Sequence, residues 1–133
     1  MATVTATEQN FEDLVTKSDI LVVDFWADWC GPCKAFGPVF EAASERYKDV
    51  TFAKVDTEAE RGLASAFGVR AIPMLAVFRQ QVLLFAEAGA LPGAALDELI
   101  TQAKALDMEK VKAEIAAHEA AHDDHVHGPG CNH

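Results

Sequence analysis

Ile20-Leu21-Val22-Val23-Asp24-Phe25-Trp26 is a continuous apolar run rich in β-branched residues, broken only by Asp24. A strand that alternates apolar and polar residues covers one face of a core, whereas a run without alternation needs cover on both faces. The chain must therefore flank a central strand with helices on either side, which makes it an α/β protein. Extended to Ala27, the run is about a third of the roughly 20 residues that span a bilayer, and it carries a carboxylate in its middle. It reads as a buried strand and not as a membrane segment.

The rest of the chain supplies that cover. Val4 falls in a short strand, and Thr7 is placed to cap a helix over Glu8 to Lys17 with Phe11, Leu14 and Val15 on one face. From Gly31 to Tyr47 the spacing of Phe36, Val39, Phe40 and Ala43 is helical, with a kink expected at Pro38, which lacks an amide proton. Val50 to Val55 reads as a strand, and Glu58 to Phe67 as a helix closed by Gly68. Met74 to Phe78 and Val82 to Ala86, joined by Arg79-Gln80-Gln81, have the spacing of an antiparallel hairpin without the usual turn Gly or Asn. A last core helix starts after Leu91-Pro92-Gly93 and runs through Leu96, Leu99 and Ile100. The order β-α-β-α-β-β-α is that of a sandwich built on a mixed sheet.

Beyond Leu106 the aromatic residues stop, Ala, Glu and Lys dominate, and all 5 histidines follow between His118 and His133. The expected division is a domain over 1–106 and an acidic, His-rich extension over 107–133, helical first and disordered after Asp123. Acidic residues outnumber basic ones by 21 to 11, a net charge of -10 that argues against nucleic acid and anionic membrane as partners. Met1 to Asn10 has neither a basic flank nor an apolar run, so no signal peptide is read and a cytoplasmic location is expected.

The 3 cysteines are too few and too odd in number for a disulfide-stapled secreted scaffold, and two of them stand as Cys30-Gly31-Pro32-Cys33. At the start of a helix such a pair can close a small disulfide ring. Unpaired amide protons there stabilise the Cys30 thiolate, lowering its pKa from about 8.5 toward about 7. Cys30 is thus the expected outward-facing nucleophile, and Cys33, one turn in and better shielded, the resolving thiol. Gly31 lets another backbone approach, and Pro32 suits a helix start. The alternative is half of a zinc site, but tetrahedral zinc needs about four ligands and no second Cys/His pair exists in residues 1–106.

Trp29-Cys30-Gly31-Pro32-Cys33-Lys34, preceded by Val23-Asp24-Phe25-Trp26-Ala27 and followed by Ile72-Pro73 ahead of a strand, resembles the thioredoxin family over residues 3 to 105. The resemblance implies the thioredoxin fold, a central mixed sheet flanked by helices. It implies a redox-active disulfide Cys30–Cys33 and electron transport to disulfide-containing protein substrates. The dithiol would be renewed by an NADPH-dependent thioredoxin reductase, with no cofactor bound to this chain, which is expected to be a monomer. It assigns Asp24 as proton acceptor for Cys33, a role with a physical basis because burial raises a carboxylate pKa. Lys54 is the expected supporting partner of Asp24. Trp29, Gly31, Pro32, Ile72, Pro73 and Gly89 correspond to the substrate-binding surface, with Pro73 matching the family's cis-proline. Trp26 and Phe25 read as core aromatics.

Ala71 stands where the family usually has Gly, and Met74 where it usually has Thr, both near the expected docking surface. In the tail, His118 and His122 are four apart on a helix, with His125, His127 and Cys131 beyond. They are candidate ligands for an adventitious divalent metal, against the plainer alternative of a solvated tail. The leading expectation is a protein-disulfide reductase contributing to cell redox homeostasis. The alternatives are a metal-handling protein and a thioredoxin-like binding protein.

Overall fold

A computed structural model describes residues 2–126, with side chains to Glu119. The elements in chain order are β1 (Thr3–Thr5), α1 (Phe11–Lys17), β2 (Ile20–Trp26), α2 (Gly31–Arg46), β3 (Thr51–Asp56) and α3 (Arg61–Ala66). They are followed by β4 (Met74–Arg79), β5 (Val82–Ala88), α4 (Gly93–Ala105) and α5 (Met108–Val126). The five strands form one sheet in the order β1-β3-β2-β4-β5, parallel between β1, β3 and β2 and antiparallel from β2 to β4 to β5. This is the mixed sheet expected, with β2 at its centre.

Period-two geometry sends successive residues of β2 to opposite faces. Ile20 and Val22 pack with Phe36 and Phe40 of α2 and with Leu96 and Ile100 of α4. Leu21, Val23 and Phe25 pack on the other side with Phe11 and, from around α3, Leu63 and Phe67. Both faces are covered, which is why the run does not alternate. Asp24 shares the face of Val22 and so points toward α2.

Two helices start later than their apolar spacing predicts, for the same reason: side chains nearby offer the backbone a competing turn. Before α1, Asn10 Oδ1 accepts from Thr7 N–H at 2.7 Å while the Thr7 hydroxyl oxygen accepts from Asn10 N–H at 3.3 Å. Glu8 is drawn across to α3, where its carboxylate accepts from Gly62 N–H at 2.9 Å. Before α3, Asp56 Oδ1 accepts from Glu58 N–H at 2.9 Å and holds residues 56–59 as a turn. α2 passes through Pro38 as one helix. Gln80 and Gln81 form a two-residue turn between β4 and β5, both with positive φ, 51° and 70°. α4 is followed closely by α5, whose first residue, Met108, is buried.

Candidate active site

The parallel strands β2 and β3 end together, and four residues separate the end of β2 from the start of α2. Cys30 occupies the N-cap position of α2, where the first turn leaves amide protons without helical partners. The Cys33 N–H is directed at Cys30 Sγ at 3.2 Å, and Pro32, which has no amide proton to strand, fills a position in the same turn. Cys30 and Cys33 are joined as a disulfide with their Cα atoms 5.2 Å apart. In this oxidised form the expected difference in exposure is absent: Cys30 is 3% exposed and Cys33 5%. What distinguishes the two sulfurs is their surroundings, since the helix N-terminus acts on Cys30 and the interior lies behind Cys33.

The Ile72–Pro73 peptide bond is cis, and the Ile72 carbonyl oxygen lies 3.6 Å from Cys30 Sγ. Gly89, at φ +123°, turns its N–H back onto the Pro73 carbonyl at 2.7 Å, so the end of β5 is tied down beside the sulfur. A side chain is strained at that φ, which accounts for glycine there. Gly31 faces open space, and nothing lies within 4 Å of where a Cβ would stand. Trp29 is 69% exposed, and its indole N–H donates to Glu58 Oε2 at 3.3 Å. It borders a cavity of about 340 Å³ shared with Arg61, Arg70 and Ile72. Trp29, Gly31, Ile72 and Gly89 thus gather around the disulfide, with Pro73 buried beneath them. Of the two departures from the family pattern, Ala71 is exposed at this surface. Met74 is instead buried in the core with Phe25 and Ala76, so it does not contribute to the docking surface.

Behind Cys33 lies a second cavity, of about 610 Å³, lined by Trp26, Cys33, Lys34, Gly37, Glu41 and Lys54 among others. Asp24 is 1% exposed at this side of the sheet, and neither carboxylate oxygen has a hydrogen-bond partner among the described residues. Burial pushes its pKa up to about 7; the Lys54 ammonium pulls it down, and the Glu41 carboxylate adds to the rise. Lys54 stands opposite Asp24 in the β2–β3 register. Its ammonium nevertheless pairs with Glu41 Oε2 at 3.8 Å and lies 5.3 Å from the centre of the Trp26 ring. Trp26 is therefore a wall of this cavity and not a purely core aromatic; Phe25 is fully buried as expected.

Glu41 is the residue that the sequence reading missed. The signal was available, because Cys33, Gly37 and Glu41 are spaced i, i+4, i+8 along α2, one stripe that carries the resolving thiol at one end and a carboxylate at the other. Of the candidate metal ligands, His118 is exposed on α5, and residue 122 lies one turn later in the same helix. The side chain of His122 and the whole of His127, like Cys131, fall outside the described residues, as does the side chain of His125. Among the described residues no group of three or more His, Cys, Asp or Glu is arranged to hold a metal ion, and no helix is long and apolar enough to cross a membrane.

Residues 2–103 match the family model described as Thioredoxin. The chain is 51% identical over 119 residues, 90% of its length and 89% of the relative's, to a protein of Streptomyces coelicolor that carries the name thioredoxin 2. It is 37% identical over 89 residues to a thioredoxin of Mycoplasmoides gallisepticum, covering 67% of this chain and 89% of that one. Among solved structures it is similar to a mutant thioredoxin from Halobacterium salinarum, with a TM-score of 0.73 and 33% identity over 78% of this chain and 92% of that chain. A Plasmodium falciparum thioredoxin gives a TM-score of 0.70 at 28% identity, over 75% of this chain and 98% of that one.

Proposed function

The chain belongs to the thioredoxin family of thiol-disulfide oxidoreductases, and on that premise we propose that it is a protein-disulfide reductase serving redox homeostasis in the cytoplasm. The observation that carries this reading is the Cys30–Cys33 disulfide on the N-terminus of α2, with the Cys33 N–H directed at Cys30 Sγ. In the reduced protein the same donor and the helix terminus favour a thiolate on Cys30.

The Cys30 thiolate attacks one sulfur of a substrate disulfide; a mixed disulfide forms and the substrate's other sulfur leaves as a thiolate. The Cys33 thiol then gives its proton to Asp24, and its sulfur attacks Cys30 Sγ, releasing the second substrate thiolate. Two electrons have passed to the substrate, and the chain is left with the Cys30–Cys33 disulfide. An NADPH-dependent thioredoxin reductase is the proposed source of the two electrons that restore the dithiol, and the chain acts as a monomer. The open space at Gly31 and the exposed Trp29 support docking of an extended substrate segment across the sulfurs.

The test is insulin reduction with dithiothreitol as electron source, in which the chain is expected to accelerate precipitation over the chemical blank. No acceleration would sink the reading. A Cys33→Ser variant is expected to accumulate substrates as mixed disulfides on Cys30, and adducts carried on Cys131 instead would refute the assigned roles.

A further inference from the structure

Adjacent residues of opposite charge on one face of a sheet ordinarily pair, and more so when one of them is a buried carboxylate that has no other partner. Asp24 and Lys54 meet that description, being register partners in β2 and β3 on the face covered by α2. They make no ion pair or hydrogen bond. The Lys54 ammonium is taken up by Glu41 at 3.8 Å and lies over the Trp26 ring. Glu41 is itself held, because the Thr3 hydroxyl of β1 lies 3.1 Å from both carboxylate oxygens and donates to them. Three elements that are distant in sequence therefore converge to keep the ammonium where it is.

Resting on the reductase reading above, we propose that Glu41 is a positioning residue of the resolving step: its carboxylate anchors the Lys54 ammonium and prevents it from closing onto the Asp24 carboxylate, which stays available to exchange a proton with Cys33. The geometry favours this over an incidental surface pair. Glu41 and Lys54 are both partly buried, and both line the cavity that Cys33 also borders. Between Cys33 and Glu41 on the α2 stripe stands Gly37, where even a Cβ would meet nothing within 4 Å, so the lane from thiol to ion pair is open. The charged and titratable groups around this cavity are Lys54 from β3, Cys33, Lys34 and Glu41 from α2, and Asp28 from the loop after β2. Of these, Lys54 and Glu41 act on Asp24, in opposite directions. Removing Glu41 acts twice in one direction, since it deletes a negative charge and frees a positive one to approach.

The measurement is the titration midpoint of the Asp24 carboxyl carbon, followed by NMR in the oxidised full chain. It needs no substrate, so it reads this proposal separately from the reductase activity. If insulin reduction fails while the midpoint behaves as expected, the positioning of Lys54 by Glu41 stands and the substrate class falls. Glu41→Gln is expected to lower the midpoint by about one pH unit, and to move the acid limb of the resolving rate down by the same amount. In a Lys54→Met background the Glu41→Gln shift is expected to fall to less than half, because the anchored group is gone. An unchanged midpoint in Glu41→Gln overturns the proposal, and so does an equal shift with and without Lys54, since Glu41 would then act by its own charge alone. Should Glu41→Gln not fold, Thr3→Val loosens the carboxylate without removing it. A smaller downward shift there supports the proposal, and no shift overturns it.

Discussion

At the scale of single residues, Asp24 is a buried carboxylate without a hydrogen-bond partner among the described residues, and it is the group that the proposed resolving step uses. Asp24 has a folded pKa of about 7 against an ordinary value of 3.8, so between those values the folded state holds a proton that the unfolded state has lost. Its contribution to stability is therefore fully present below about pH 4 and is lost as pH rises through 7. The difference of about three pH units, at 1.36 kcal/mol each, amounts to about 4 kcal/mol. Asp24→Asn is accordingly expected to be more stable than the parent at pH 8, by up to about 4 kcal/mol, with the advantage gone near pH 4. Urea unfolding across that range measures it; equal stability of the two proteins at pH 8 would contradict a raised pKa. The same variant is expected to lose rate in the resolving step near neutral pH. Asp24 was legible in the sequence because a carboxylate stood out in an apolar strand. Glu41 could be placed on the Cys33 stripe of α2 from its spacing, but its role could not be read there, since it depends on Thr3 and Lys54, which lie 38 residues before it and 13 after and are brought to it only by the fold.

At the scale of elements, periodicity located every strand and helix of the core, and it failed where a local side chain outbid it. β2 has the predicted bounds because no side chain in a run that is apolar apart from Asp24 offers the backbone a competing turn. α1 and α3 begin three residues late because Asn10 and Asp56 capture nearby amides. The hairpin turn is the opposite case, in which the fold imposes a conformation that the sequence disfavours. Gln80 and Gln81 both take positive φ, in a two-residue turn whose hand matches the twist of β4 and β5. Residues with a Cβ lose roughly 1–2 kcal/mol each in that region. Placing Asn at 80 and Gly at 81 is therefore expected to raise stability by about 1–2 kcal/mol. The Gln80 N–H bond to the Asp19 carbonyl, at 2.7 Å, involves only backbone and survives the change. A higher urea midpoint at an unchanged m-value would show it, and an unchanged midpoint would contradict the strain.

At the scale of the whole molecule, stability and chemistry occupy opposite ends of the sheet. The register runs from Ile20 opposite Arg79 to Phe25 opposite Met74, so the dithiol, Asp24 and the cis peptide gather at one end of β2 and Arg79 stands at the other. There, Arg79 Nη1 donates to the carbonyls of Ala103, Lys104 and Leu106 at 2.8, 2.9 and 2.8 Å, collecting the orphan acceptors at the end of α4 just before α5 begins. One guanidinium on β4 thus joins the sheet to the junction between α4 and α5. Arg79→Met keeps the apolar stem and removes the donors, and with charge-assisted bonds worth roughly 1.5–3 kcal/mol it is expected to cost about 3 kcal/mol. Because the loss falls far from the sulfurs, the reduced population is expected to show in amide exchange. The last turn of α4 and the start of α5 should exchange faster, while amides of β2 and the first turn of α2 keep their protection relative to global unfolding. Insulin reduction below the melting transition is expected to match the parent. A fall in reduction that tracks the fall in stability would show that the two ends of the sheet are coupled.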